Sequence, residues 1–88
     1  MYGVIVRSTV QDVEESKKAL MERLIPSFKQ MPGFISGQWV AVGEHEGISM
    51  LTFESEEAAR GAVDRSSTNV PPGVTIQSIE VGEVVARA

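Results

Sequence analysis

Arg7 has the clearest capacity for chemistry in this chain. It stands in a β-branched run, Val4-Ile5-Val6-Arg7-Ser8-Thr9-Val10. A guanidinium held on a strand can capture a carboxylate or phenolate, or stabilise negative charge as it develops in a reaction. If Arg7 faces an interior it needs an acid, and Glu54 and Glu80 are the acids expected on neighbouring strands. Trp39, the single tryptophan, can floor an apolar pocket, offering area and one N–H donor. Tyr2 is a further hydrogen-bond donor near the same sheet, and Met50 can line an adaptable pocket. These four are the ligand-pocket candidates, and each also has a structural reading. Trp39 can simply pack in a core or interface, Arg7 can belong to an ion pair, and Tyr2 can be a half-buried strand end.

No reaction is spelled out beyond these residues. His45 sits in a tight turn, Gly43-Glu44-His45-Glu46-Gly47, and is the only histidine. Adjacent residues in a turn do not converge on one ion, so no metal site is expected and His45 reads as an exposed turn residue. The sequence contains no glycine-rich phosphate loop, nucleophile elbow or paired-carboxylate site. No cofactor is expected, and no catalytic residue is assigned.

With 88 residues the chain is one domain, spanning 1–88. A domain of this size buries only about 60 % of the surface its unfolded chain exposes. It has no cysteine, so neither disulfides nor thiolate metal sites supplement the core. A second copy of the chain is the simplest source of further burial. The net charge of −4 and the scattered basic residues argue against nucleic-acid binding. No apolar stretch is long enough to cross a membrane and the first ten residues lack a basic leader, so a cytoplasmic protein is expected.

The elements that must position the candidates read off clearly. Tyr2 to Val10 is a strand, with Arg7 on the face of Ile5. Asp12 caps a helix running to about Gln30, with Val13, Leu20, Leu24, Phe28 and Met31 as its apolar stripe. Pro26 inside that helix predicts a kink or a change of helix there. Met31-Pro32-Gly33-Phe34 stops the helix and opens a strand, Phe34 to Val42, in which Gly37 needs a packing reason or a bulge. Alternation places Phe34, Ser36, Gln38, Val40 and Val42 on one face and Ile35, Gly37, Trp39 and Ala41 on the other. Ile48 to Glu54 is the returning strand. Ser55 caps a second helix with Ala58, Ala59, Ala62 and Val63 inward, ended by Ser66-Ser67-Thr68-Asn69. Val74 to Val85 is a long last strand whose change of apolar parity predicts one or two bulges. The order gives an α+β, ferredoxin-like βαββαβ fold, a four-stranded antiparallel sheet with two helices on one face. The strands carry apolar residues on both faces, so the face away from the helices is expected to be covered too.

Pro32-Gly33-Phe34 after the first helix, with Phe53-Glu54-Ser55-Glu56-Glu57-Ala58 before the second, resembles the dimeric α+β barrel superfamily. Within it the chain is most similar to the antibiotic biosynthesis monooxygenase-like group. The resemblance covers nearly the whole chain, and its motifs are structural. It implies a homodimer formed by sheet-to-sheet packing, with a small hydrophobic cavity per subunit. The implied activity is cofactor-independent oxygenation of a small hydrophobic or aromatic molecule, Trp39 contacting the substrate and Arg7 stabilising charge. The alternative is a non-catalytic dimer that binds a small molecule or a protein. The helix-borne histidine of the haem-degrading members has no counterpart here, and the shortness of the chain implies a reduced pocket.

Overall fold

The strand β1 (Tyr2–Val10) is the one around which the rest assembles. The computed structural model describes residues 1–68 and 70–88. After β1 come α1 (Val13–Ala19), a π-helical segment (Leu20–Leu24) and α2 (Ile25–Lys29), which together form one continuous helical run. They are followed by β2 (Phe34–Val42), β3 (Glu46–Phe53), α3 (Glu56–Thr68) and β4 (Val74–Glu83). The strands form one antiparallel sheet in the order β2-β3-β1-β4. Central β1 and β3 with β2 and β4 at the edges is the topology compatible with a ferredoxin-like fold.

Alternation along the strands decides which face meets the helices. Val4, Val6 and Val10 of β1 and Leu51 and Phe53 of β3 are buried, and they join Phe28, Ala59 and Ala62 in the core. Ile5 and Arg7 point to the opposite, open face, as do Ile48 and Met50, their cross-strand partners on β3. Both helical runs are capped as the sequence indicates. The Glu15 N–H donates to Asp12 Oδ1 at 3.1 Å and the Ala58 N–H to Ser55 Oγ at 3.2 Å. The end of α3 lies at Thr68; Asn69, which the sequence reading included in that terminus, is outside the described residues.

Three details differ from simple alternation. Phe34 pairs with Phe53 whereas Ser36 pairs with Thr52, so a bulge at Ile35 intervenes. Phe34 is thereby turned to the helix side, its ring edge-on to Phe53 with centroids 5.6 Å apart. It does not share the face of Ser36, Gln38 and Val40 as alternation suggested. The parity change in β4 has the expected cause: Arg7 faces Ser78 but Ser8 faces Ile76, leaving Gln77 outside the register. Ile76, Ile79 and Val81 can then all pack on the core. The strand ends at Glu83 rather than Val85, although the Val84 N–H still donates to the Met1 carbonyl at 2.9 Å.

Gly37 has the packing reason that a mid-strand glycine calls for. A Cβ there would lie 2.8 Å from Leu51 Cδ2 and 2.9 Å from the Trp39 ring. The missing side chain is what lets the indole lie flat along β2. Gly37→Ala should therefore lower stability by about 1–3 kcal/mol, the usual cost of forcing a methyl into a packed site. Urea unfolding followed by Trp39 emission checks this, and an unchanged midpoint would show that the indole has room to move aside.

Candidate functional site

The two helical layers sit at different heights above the sheet, and the difference opens a cleft. On α3 the inward residues are Ala59 and Ala62, both fully buried, so that helix lies close against β1, β3 and β4. The first helical run approaches no strand backbone as closely. Its firm anchor is at the C-terminal end, where the buried Phe28 meets Trp39 with ring centroids 6.2 Å apart. Neither α1 nor the π-helical segment contains a buried residue. Beneath that raised end the floor is made of small side chains: Ala41, Gly47 and Ser8, in register across β2, β3 and β1, with Ser49 in the next row beside Trp39. The result is a cleft of about 1100 Å³ between Val13, Leu20, Met21 and Leu24 above and Trp39, Ser49, Val6 and Ser8 below.

The helix above the cleft is irregular for a chemical reason. Pro26 lacks an N–H, and its ring crowds the carbonyl of Glu22. The chain relieves this by widening, which is the change of helix expected from the sequence. The Ile25 N–H donates to the Leu20 carbonyl, one residue beyond the α-helical spacing. Such a segment inserts an extra residue and re-aims the side chains around it. Here Leu20, Met21 and Leu24 all line the cleft.

Apolar surface dominates the cleft. The Ser8 hydroxyl donates to the Gly47 carbonyl at 3.3 Å. Ser49 lies beside Trp39 in the cross-strand register and makes no side-chain hydrogen bond among the described residues. Glu14, Lys17, Lys29 and Glu46 also contribute to the lining. An arrangement of apolar walls with two hydroxyls on the floor suits a small apolar molecule carrying a hydrogen-bonding group. Gly47 keeps that floor low, since a Cβ there would lie 3.1 Å from Ser8 Oγ.

The four candidates from the sequence are not brought together. Trp39 floors the cleft. Tyr2 packs on the core at the other end of the sheet, opposite Phe53. Arg7 and Met50 lie on the open face, with the sheet between them and Trp39. A site in which Trp39 holds a molecule and Arg7 stabilises charge on it is therefore not formed within one subunit. Arg7 makes no ion pair among the described residues; the one such pair is Arg60 with Glu56 at 3.5 Å. Of its two expected partners, Glu80 is its diagonal neighbour on β4, and Glu54 lies past the far end of β3. His45 is exposed in the hairpin turn, its Nδ1 3.1 Å from the Val10 carbonyl oxygen and its own carbonyl accepting from the Val10 N–H. Among the described residues no three His, Asp or Glu side chains gather as a metal site requires.

Sequence reasoning missed Ser8 and Ser49. The available signal was their parity: each is a small polar residue at a helix-facing position of an otherwise apolar strand. No family model matches the chain, and no curated protein matches it.

Because α1 is held by its cap rather than by burial, Asp12→Ala should cost about 1 kcal/mol, a usual value for an N-cap. Hydrogen exchange should then speed up over Val13–Ala19 before it does so in β1 or β3. Equal acceleration in the sheet would mean that the helix is not the separately yielding part.

Proposed function

We propose that this chain is a homodimeric α+β barrel protein that takes a small hydrophobic or aromatic molecule into the cleft beneath its first helical run. The observation that carries the reading is that cleft, with apolar walls, the only indole of the chain on its floor and two hydroxyls beside it. An aromatic ring stacked against Trp39 gains area, and a ring oxygen gains a partner in Ser49.

Dimerisation is supported by the open face of the sheet. Val40, Val42 and Met50 are 52 %, 42 % and 49 % exposed there, beside Ile5 and Ile48. A contiguous apolar surface of this kind is what a protein–protein contact covers. The edge strand β2, Phe34–Val42, carries no charged residue and no proline, the usual devices that keep an edge from pairing. A barrel built from two such sheets would cover the face and occupy the edges together.

Cofactor-independent oxygenation is the reaction this reading puts first, by the resemblance to the monooxygenase-like group. Its electron balance needs no outside reductant when the substrate is electron-rich. An activated ring methylene and dioxygen become a carbonyl and water, the substrate giving up four electrons. The protein's part would be to hold the molecule, exclude water and steady one oxygen. Binding without turnover is the alternative.

Titration with naphthalene and 1-naphthol, followed by Trp39 emission, tests the site. A saturable change is expected in the wild type and its loss in Ser49→Phe, where the added ring takes the place beside Trp39. Stability of that variant should change by no more than about 1–3 kcal/mol, even if the ring packs imperfectly. Native mass spectrometry of the same samples should give a dimer. No saturable signal with either probe would remove the cleft as a binding site. Oxygen uptake on adding an electron-rich hydroxynaphthalene separates an enzyme from a binder.

A further inference from the structure

Arg7 and Glu80 stand on the open face without an ion-pair partner among the described residues, and they are placed to find one in the same event. Arg7 faces Ser78 across the β1–β4 ladder and Glu80 faces Ile5, so the two are diagonal neighbours on adjacent strands. Such neighbours are separated by about 7–8 Å between their backbones. Both residues are exposed, and they form no ion pair with each other. Ile5 and Ser78 are the other two corners of this square, and Met50 and Ile48 on the adjoining strand make its surroundings apolar.

We propose that the second copy docks on this face with its two-fold axis passing between Arg7 and Glu80, so that each Arg7 pairs with the partner subunit's Glu80. The inference rests on the dimer reading given above and adds its register. A two-fold contact requires that if one residue meets another, the reverse contact also forms. An axis between an adjacent cation and acid satisfies that condition with two reciprocal pairs, arranged as a ring of alternating charges. The same axis runs over Ile5 and Met50, which then meet their own images. It directs Ile48 toward the partner's Gly3 and Gly82, which face one another across the ladder. That corner is a shallow hollow, since a Cβ on Gly82 would touch nothing within 4 Å. Registers that set Arg7 over the partner's Ile48, Met50 or Val40 instead would cover the guanidinium without a countercharge, which is strongly unfavourable. The charge pair thus selects one register from a face whose apolar residues alone would tolerate several.

Charge reversal separates this arrangement from its alternatives. Arg7→Glu and Glu80→Arg, each alone, should weaken the dimer roughly 100-fold or more, the effect of opposing like charges in a covered interface. Mixing the two variants should restore a heterodimer, which native mass spectrometry resolves by mass from either homodimer. In the mixture each interface again opposes Glu to Arg across the subunits. The double variant should dimerise as the wild type does. If reversal unfolds either chain, Arg7→Gln and Glu80→Gln serve instead: each should weaken the dimer, and combining them should cost much less than the sum. Single variants that remain fully dimeric would overturn the proposal and leave the dimer reading intact. So would a double variant that dimerises while the mixture stays monomeric, because the pair would then lie within one subunit. A monomeric wild type would overturn the dimer reading itself.

Discussion

The contact between Phe28 and Trp39 is the constraint on which the shape of this molecule depends. It pins one end of the first helical run to the edge of the sheet, with the rings tilted at 39°. The Trp39 side of this contact and the adjoining end of the core are set by backbone detail. Gly37 leaves space for the indole, and the bulge at Ile35 turns Phe34 inward to close the end of the core. With that end fixed and no equivalent bulk at the other, the helix rises over Ala41, Gly47 and Ser8. The cleft is a consequence of unequal side-chain size along two facing elements. It does not require a special loop or lid.

The two helices show how residue volume sets distance. Ala59 and Ala62 let α3 lie on the sheet and bury Val4, Leu51 and Phe53 completely. The first run uses leucines, a methionine and a phenylalanine, which hold it further away. Its π-helical segment adds a residue to the turn that Pro26 would otherwise strain, and the extra residue aims more apolar surface at the space below. Local backbone chemistry and the shape of the cleft are therefore linked in one stretch, Leu20 to Pro26.

The sheet divides the chain's chemistry between two faces. The helix side holds Trp39 and the two serines, and the open side holds Arg7, Glu80 and the exposed Val40, Val42 and Met50. The alternation of side chains along a strand enforces this separation, since a position's parity fixes its face unless a bulge intervenes. The cleft and the open apolar face thus lie on opposite sides of one thin sheet.

Much of this was legible in the linear order of residues. The caps at Asp12 and Ser55, the stop at Pro32-Gly33, the β2–β3 hairpin and the small-residue stripe of α3 are local signals, and local signals survive into the fold because they act within a few residues. The sequence also pointed to a disturbed helix at Pro26, a reason for Gly37 and a bulge in the last strand. Tertiary structure decided the rest. Which face of the sheet the helices cover, the inward turn of Phe34, the height of one helix above the other and the separation of Arg7 from Trp39 depend on pairing between distant strands. Periodicity gives each strand two faces but cannot say which is inner, because both faces here are apolar, and a one-residue bulge reverses the answer.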